Sequence, residues 1–190
     1  MSELEWIKWE MQGKPVPPPD VVKQFTVRSY GKQYSLPTLI ETGTFLGDMI
    51  SAVKDSFQSI ISVELEPSLY ELVRKKFSTE PHISIVFGDS GEVLPGILAN
   101  IKHPCLFWLD GHWSGGYVKT ARGALETPIR QELHHIFQHP VKEHVILIDD
   151  ARMFTGQNDY PTLDELRALV RSYDASLQFH LEHDIIRIHR

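Results

Sequence analysis

Acidic side chains close one apolar run after another in this sequence. Glu64 ends Ser59-Ile60-Ile61-Ser62-Val63, Asp89 follows Val86-Phe87-Gly88, and Asp110 follows Leu106-Phe107-Trp108-Leu109. Asp149 and Asp150 follow Val145-Ile146-Leu147-Ile148, while Glu41 lies inside Leu39-Ile40-Glu41-Thr42. A carboxylate accepts hydrogen bonds from sugar hydroxyls, ligates a hard cation or carries a proton, and each chemistry has a candidate here. Gly43-Thr44-Phe45-Leu46-Gly47 comes first, and Glu64 lies 21 residues after Gly43. A glycine-bearing turn followed about 20 residues later by an acid is how an open α/β sheet holds a nucleoside, with backbone against the ligand and the carboxylate on its ribose. Asp110, Asp149 and Asp150 offer oxygens suited to Mg²⁺, Mn²⁺ or Ca²⁺, and His112 offers a nitrogen. An equally open reading pairs Asp110 and Asp149 with Lys119, Arg122 or Arg152. Asp89-Ser90 stands where an adenine amino group would be met, or caps the next helix, and the two roles are compatible.

For these carboxylates to act together, the elements carrying them must end at one edge. Apolar runs predict strands over residues 39–41, 60–64, 83–87, 106–110 and 145–149, with helices over 48–57, 67–77, 92–100 and 127–139 between them. Alternation of buried strands with helices predicts a Rossmann-like, doubly wound α/β sheet, mostly parallel and covered by helices on both faces. A helix over 162–173 follows, with Thr162 as N-cap and Glu165 closing a capping box. Runs over 177–180 and 185–188 supply a closing antiparallel strand, for about seven strands in all. Glu66-Pro67-Ser68 reads as a helix start. In such a sheet the strand ends share one rim, where ligands bind. Several carboxylates gathered there without a cation or hydrogen-bond donors would be costly, which argues for a ligand.

Residues 1–35 form an N-terminal arm divided by Lys14-Pro15-Val16-Pro17-Pro18-Pro19, whose prolines break helical structure. Leu4, Trp6, Ile7 and Met11 suit a short amphipathic helix before the break, and Asp20 is the expected N-cap of a second helix or ordered arm after it. Whether the arm covers the mouth of the sheet or packs on its edge stays open. Residues 36–190 then form the ligand-binding unit, one domain overall. The formal charge is −6 and no Lys/Arg cluster of five or more occurs, so nucleic acid is not an expected partner. With no apolar run of about 18 residues, a membrane is not expected either. The acidic start Met1-Ser2-Glu3-Leu4-Glu5-Trp6 lacks a secretory pattern, and the expected location is cytoplasmic. The single cysteine, Cys105, lies in an apolar run and is expected to pack a strand.

Taken in order, these motifs resemble the class I S-adenosylmethionine-dependent methyltransferases, in particular the small metal-dependent O-methyltransferases related to catechol O-methyltransferase. Ile40-Glu41-Thr42-Gly43-Thr44-Phe45-Leu46-Gly47 looks like the family's first motif, around the methionine part of the cofactor. Val63-Glu64-Leu65-Glu66-Pro67 looks like its ribose-binding acidic turn, and Gly88-Asp89-Ser90-Gly91-Glu92-Val93-Leu94-Pro95 like its adenine-contacting segment. Leu109-Asp110 falls on the first metal ligand and Asp149-Asp150 on the Asp-Asn pair, with Asp in place of Asn. The resemblance implies S-adenosyl-L-methionine held by Glu41, Thr42, Gly43, Thr44, Phe45, Gly47, Glu64, Leu65, Asp89, Ser90 and Asp110. It also implies a divalent metal, Mg²⁺, on Asp110, Asp149 and Asp150, and methylation of a small-molecule hydroxyl on a sugar or natural product.

The catechol enzymes carry a lysine shortly after the first metal ligand, where this sequence has Gly111-His112-Trp113-Ser114-Gly115, so His112 is the expected base. Trp113 and Ser114-Gly115-Gly116 would wall the substrate, or Trp113 would simply pack. Other readings stay open: a metal-free methyltransferase working through His112, a cofactor- or partner-binding module whose arm makes a homodimer contact, and a metal hydrolase on Asp110, His112, Asp149 and Asp150.

Overall fold

In the computed structural model, which describes residues 2–111 and 125–190, the apolar runs become β1 (Thr38–Thr42), β2 (Ser59–Glu64), β3 (Ile83–Phe87), β4 (Leu106–Leu109) and β5 (Val145–Ile148). With β6 (Gln178–Glu182) and β7 (Ile185–His189) they form one sheet in the order β3-β2-β1-β4-β5-β7-β6. The first five strands are parallel, and β7 runs antiparallel to both β5 and β6. This is the expected doubly wound sheet of seven strands. Its order reverses between β1 and β4, so the crevice available to a ligand opens at their carboxyl ends.

Alternation along the strands sends successive side chains to two separate cores. Ile40, Phe107, Leu109, Ile146 and Ile148 face α5 (Ser90–Leu98), α6 (Ile129–Gln138) and α7 (Leu163–Tyr173). Leu39, Leu106, Trp108, Val145 and Leu147 face α2 (Asp20–Gln33), α3 (Asp48–Val53) and α4 (Pro67–Lys76). Because every residue of β1, β4 and β5 is buried, these strands show no polar alternation in the sequence.

The helix ends follow local chemistry. Glu66 caps α4, with its carboxylate accepting the Ser68 N–H, and Thr162 and Glu165 form the reciprocal capping box of α7. Helix α5 starts at Ser90, two residues before the expected position, because the Asp89 carboxylate accepts the Gly91 N–H at 2.9 Å. Pro95 sits inside α5 and cannot donate to the Gly91 carbonyl; His135 of α6 takes that acceptor at 2.9 Å, so the two helices are pinned where the ladder is broken. Helix α3 is shorter than expected and passes into a 3₁₀ turn, Lys54–Ser56. The β6–β7 hairpin turns on His183 and Asp184, both at positive φ (54° and 62°).

The arm is two helices, α1 (Ser2–Met11) and α2. Pro19 occupies the N-cap and Asp20 the first turn, so the cap lies one residue earlier than expected. Lys23, Val27, Tyr30 and Tyr34 recur at helical spacing, and this stripe lies along the sheet. Val27 is buried in the core, Tyr30 lies 5.7 Å from the Arg187 guanidinium, and the Tyr34 hydroxyl meets His189 Nδ1 at 2.9 Å. Lys23, at the other end of the stripe, thereby reaches the carboxyl edge. Among the described residues, no helix is long and apolar enough to cross a membrane.

Candidate functional site

Strand register aligns the candidate residues. Thr42 pairs with Val63 on one side and Leu109 on the other, Leu109 pairs with Ile148, and Glu64 pairs with Phe87. One step beyond the last pairs of β1, β4 and β5, Glu64, Gly43, Asp110 and Asp149 therefore stand in one row across four strands. The turn after β1 lies hard against the turn after β4: a Cβ on Gly43 would sit 2.4 Å from the Asp110 carbonyl oxygen, and Gly43 has φ +83°. Only glycine meets both conditions.

Glu64 organises the first turn from the neighbouring strand. Its Oε2 accepts the Phe45 N–H at 2.8 Å and its Oε1 the Glu66 N–H at 2.8 Å. That bond holds Phe45 at φ 50°, a left-handed conformation uncommon for an aromatic residue. Burial pushes the Glu64 carboxyl upward, against the backbone donors of Glu66, Phe45 and Leu65. Each oxygen keeps a second lone pair for a ligand hydroxyl. Beneath the turn, the Ser62 hydroxyl donates to Glu41 Oε2 at 2.5 Å and lies 2.6 Å from the Thr44 hydroxyl. Glu41 is 1% exposed, and burial, helped by the charges of Asp110 and Glu64, pushes its carboxyl up to about 8.

Asp89 serves as the α5 cap, and the Ser90 hydroxyl turns inward to Glu132 Oε1 at 2.6 Å. Of the two roles open for this pair, the structure displays the capping one; Asp89 is half-buried at the same edge. Glu132, on α6, is 1% exposed, and burial raises its carboxyl to about 7, with Asp89 and Asp110 adding to the shift. A small cavity lined by Asp110, Gly111, Glu132, Asp149, Phe154 and Tyr160 opens beside it. Thr42, Thr44, Gly47 and Leu65 complete the loops of this edge, and Gly47 enters α3 at φ 71°.

At the β5 end, Asp149 Oδ2 receives the Lys23 ammonium at 2.5 Å, and Asp149 Oδ1 accepts the Asp150 N–H at 2.8 Å. Asp150 sits at φ 54°; its Oδ1 accepts from Arg152 at 2.7 Å and lies 3.7 Å from Lys23. Arg152 also pairs with Asp184 of the hairpin turn. Burial and the Asp110 charge push Asp149 upward, opposed by Lys23. Burial works to lower the Lys23 ammonium, but Asp149, Asp110 and Asp150 together raise it. The cation on Asp149 is thus Lys23, and Arg152 pairs with Asp150. Among the described residues, no three histidine, cysteine, aspartate or glutamate side chains are grouped to hold a metal ion. His112, Trp113, Ser114, Gly115, Gly116, Lys119 and Arg122 lie outside the described residues.

Lys23, Ser62, Glu132 and Tyr160 join the site without having been expected from the sequence. Three of them leave a trace there. Ser62 interrupts an apolar strand, Glu132 occupies the apolar stripe of α6 with Ile129, Leu133 and Ile136, and Lys23 shares the stripe of Val27 and Tyr30.

No protein-family model matches this chain, and no curated protein matches it by sequence. Solved structures do match it by shape. The O-methyltransferase TomG of Streptomyces achromogenes, involved in tomaymycin synthesis and solved with S-adenosylmethionine, superposes with TM-score 0.65 at 11% identity, over 98% of this chain and 87% of its own. The methyltransferase PaMTH1 of Podospora anserina, bound to S-adenosylhomocysteine, gives 0.62 at 14% identity, over 97% and 86%. An O-methyltransferase of Bacillus cereus, also with S-adenosylhomocysteine, gives 0.62 at 10% identity, over 100% and 90%. This chain has the methyltransferase fold. The doubly wound sheet and its antiparallel closing strands are those expected from the sequence, and the row of Glu64, Gly43, Asp110 and Asp149 lies at the carboxyl ends of its strands.

Proposed function

We propose that this chain is an S-adenosylmethionine-dependent methyltransferase acting on a hydroxyl oxygen of a small molecule such as a sugar or natural product. The observation that carries the reading is the row itself. Glu64, Asp110 and Asp149 flank the one glycine that lets two turns meet, with Glu41 buried behind them. Acidic side chains outnumber Lys23 and Arg152 at this edge and the Glu64 oxygens keep lone pairs, so the edge favours a ligand that brings positive charge and hydroxyl donors. S-adenosylmethionine has both, in its sulfonium and its ribose, and when bound it would supply an electrophilic methyl group.

The chain's own residues then have three tasks. Glu64 accepts the ribose hydroxyls through the lone pairs that Phe45 and Glu66 leave. The turn from Gly43 to Gly47, fixed on Glu64 and on Asp110, orients the methionine end, and Asp89 meets the adenine side while capping α5. An acceptor hydroxyl must lose its proton as the bond to carbon forms, and His112 is the proposed base, since an imidazole titrates near neutrality. A divalent ion does not fit beside Asp149 and Asp150: Lys23 already lies on one and faces the other, and Arg152 pairs with Asp150. Deprotonation is therefore assigned to the chain.

The test is transmethylation. Incubated with isotopically labelled cofactor and a panel of hydroxylated small molecules, the wild type is expected to yield an O-methylated product, and Glu64→Ala to raise the cofactor KM by about 10- to 100-fold through loss of charge-assisted hydrogen bonds. Equal cofactor KM in both proteins would remove Glu64 from the ribose site.

A further inference from the structure

Helix α2 brings one charged side chain to the carboxyl edge, and its position is not that of a surface lysine. The Lys23 side chain is 16% exposed, its ammonium lies 2.5 Å from Asp149 Oδ2 and 3.7 Å from Asp150 Oδ1, and the Asp149 side chain it meets is 1% exposed. The other Asp149 oxygen takes the Asp150 N–H, and Arg152 takes the Asp150 oxygen that Lys23 faces. A divalent ion would need ligand oxygens at about 2.0–2.6 Å and would have to settle against an ammonium already on the same carboxylates. Charge balance and geometry both place Lys23 where that ion would go.

We infer that Lys23 is the resident cation of this edge: its ammonium neutralises Asp149 and Asp150 from within the chain and excludes a divalent metal from them. The N-terminal arm thereby belongs to the functional site, because α2 carries the ammonium that meets Asp149. The stripe Val27, Tyr30 and Tyr34 anchors α2 along the sheet and holds Lys23 at its fixed reach. This deepens the proposed function and rests on it for the role of the edge; the cation assignment itself stands on the Lys23 contacts with Asp149 and Asp150.

Mn²⁺ binding to the full chain, followed by electron paramagnetic resonance of free Mn²⁺ and by calorimetry, tests it without any turnover. Wild type and Lys23→Arg are expected to take up no Mn²⁺ at the edge, whereas Lys23→Met, which strips Asp149 of its ammonium, gains at least about 100-fold in affinity. That gain should vanish in Lys23→Met/Asp149→Asn. Wild-type uptake of one Mn²⁺ that Asp149→Asn abolishes would overturn the inference, and so would a folded Lys23→Met that gains no affinity. Should Lys23→Met fail to fold by circular dichroism, the wild-type and Asp149→Asn titrations still decide. S-adenosylhomocysteine titrated into the same preparations separates the two claims. A wild type that binds it and also binds Mn²⁺ through Asp149 refutes the Lys23 assignment alone. One that excludes Mn²⁺ yet ignores S-adenosylhomocysteine refutes the cofactor reading alone.

Discussion

Glu41 behaves unlike an ordinary strand-end acid because its carboxyl is held among apolar strands with a single hydroxyl donor. Raised from an ordinary value near 4.5 to about 8, it holds its proton in the folded chain where the unfolded chain would release it. Its contribution to stability is thus complete below about pH 4.5 and is lost as pH rises through about 8. Urea unfolding should show wild-type stability falling between pH 5 and 8 by on the order of 3–5 kcal/mol relative to Glu41→Gln, which cannot ionise. Parallel pH profiles for the two proteins would show that Glu41 is ionised in the fold. In the sequence, Glu41 and Ser62 are two polar residues in neighbouring apolar runs, and nothing in either run states that one strand will lay them 2.5 Å apart. Glu64 was easier to place, because the apolar run before it marks the end of a strand.

Among elements, the turns after β1 and β4 share a boundary so tight that it works as one part. Gly43→Ala would bring a Cβ within 2.4 Å of the Asp110 carbonyl oxygen and force an alanine to φ +83°. Both faults destabilise, by an expected 2–4 kcal/mol, and they separate Asp110 from Glu64 in the process. The melting temperature should fall by several degrees and cofactor affinity with it; unchanged affinity would mean that the β1 turn does not shape the ligand edge. Strands were legible as apolar runs, and the α7 capping box as Thr162 and Glu165, because each signal is contained in a few neighbouring residues. The docking of α2 was not. Lys23 lies 126 residues from Asp149, and a lone lysine in a helical stripe gives no hint of the strand end it will meet. Helix α5 began early for a local reason, the Asp89 cap, that the sequence offered as one of two roles.

At the scale of the whole molecule, the doubly wound order places Glu64, Asp89, Asp110, Asp149 and Asp150 at one rim with Glu41 behind them, and a helix outside the sheet brings Lys23 to it. The fold was readable from the alternation of apolar strands and helices, and the proposed ligand class rests on the spacing of Gly43 and Glu64. The sequence left a bound metal and an internal cation equally open at this site, and the cation on Asp149 is Lys23. The central claim is that this rim holds S-adenosylmethionine. Calorimetric titration of the wild-type chain with S-adenosylhomocysteine tests it most directly. The expected result is a single site of roughly micromolar affinity, about −8 kcal/mol, weakened at least about 10-fold in Glu64→Ala. A folded wild-type chain that takes up no S-adenosylhomocysteine would contradict the account.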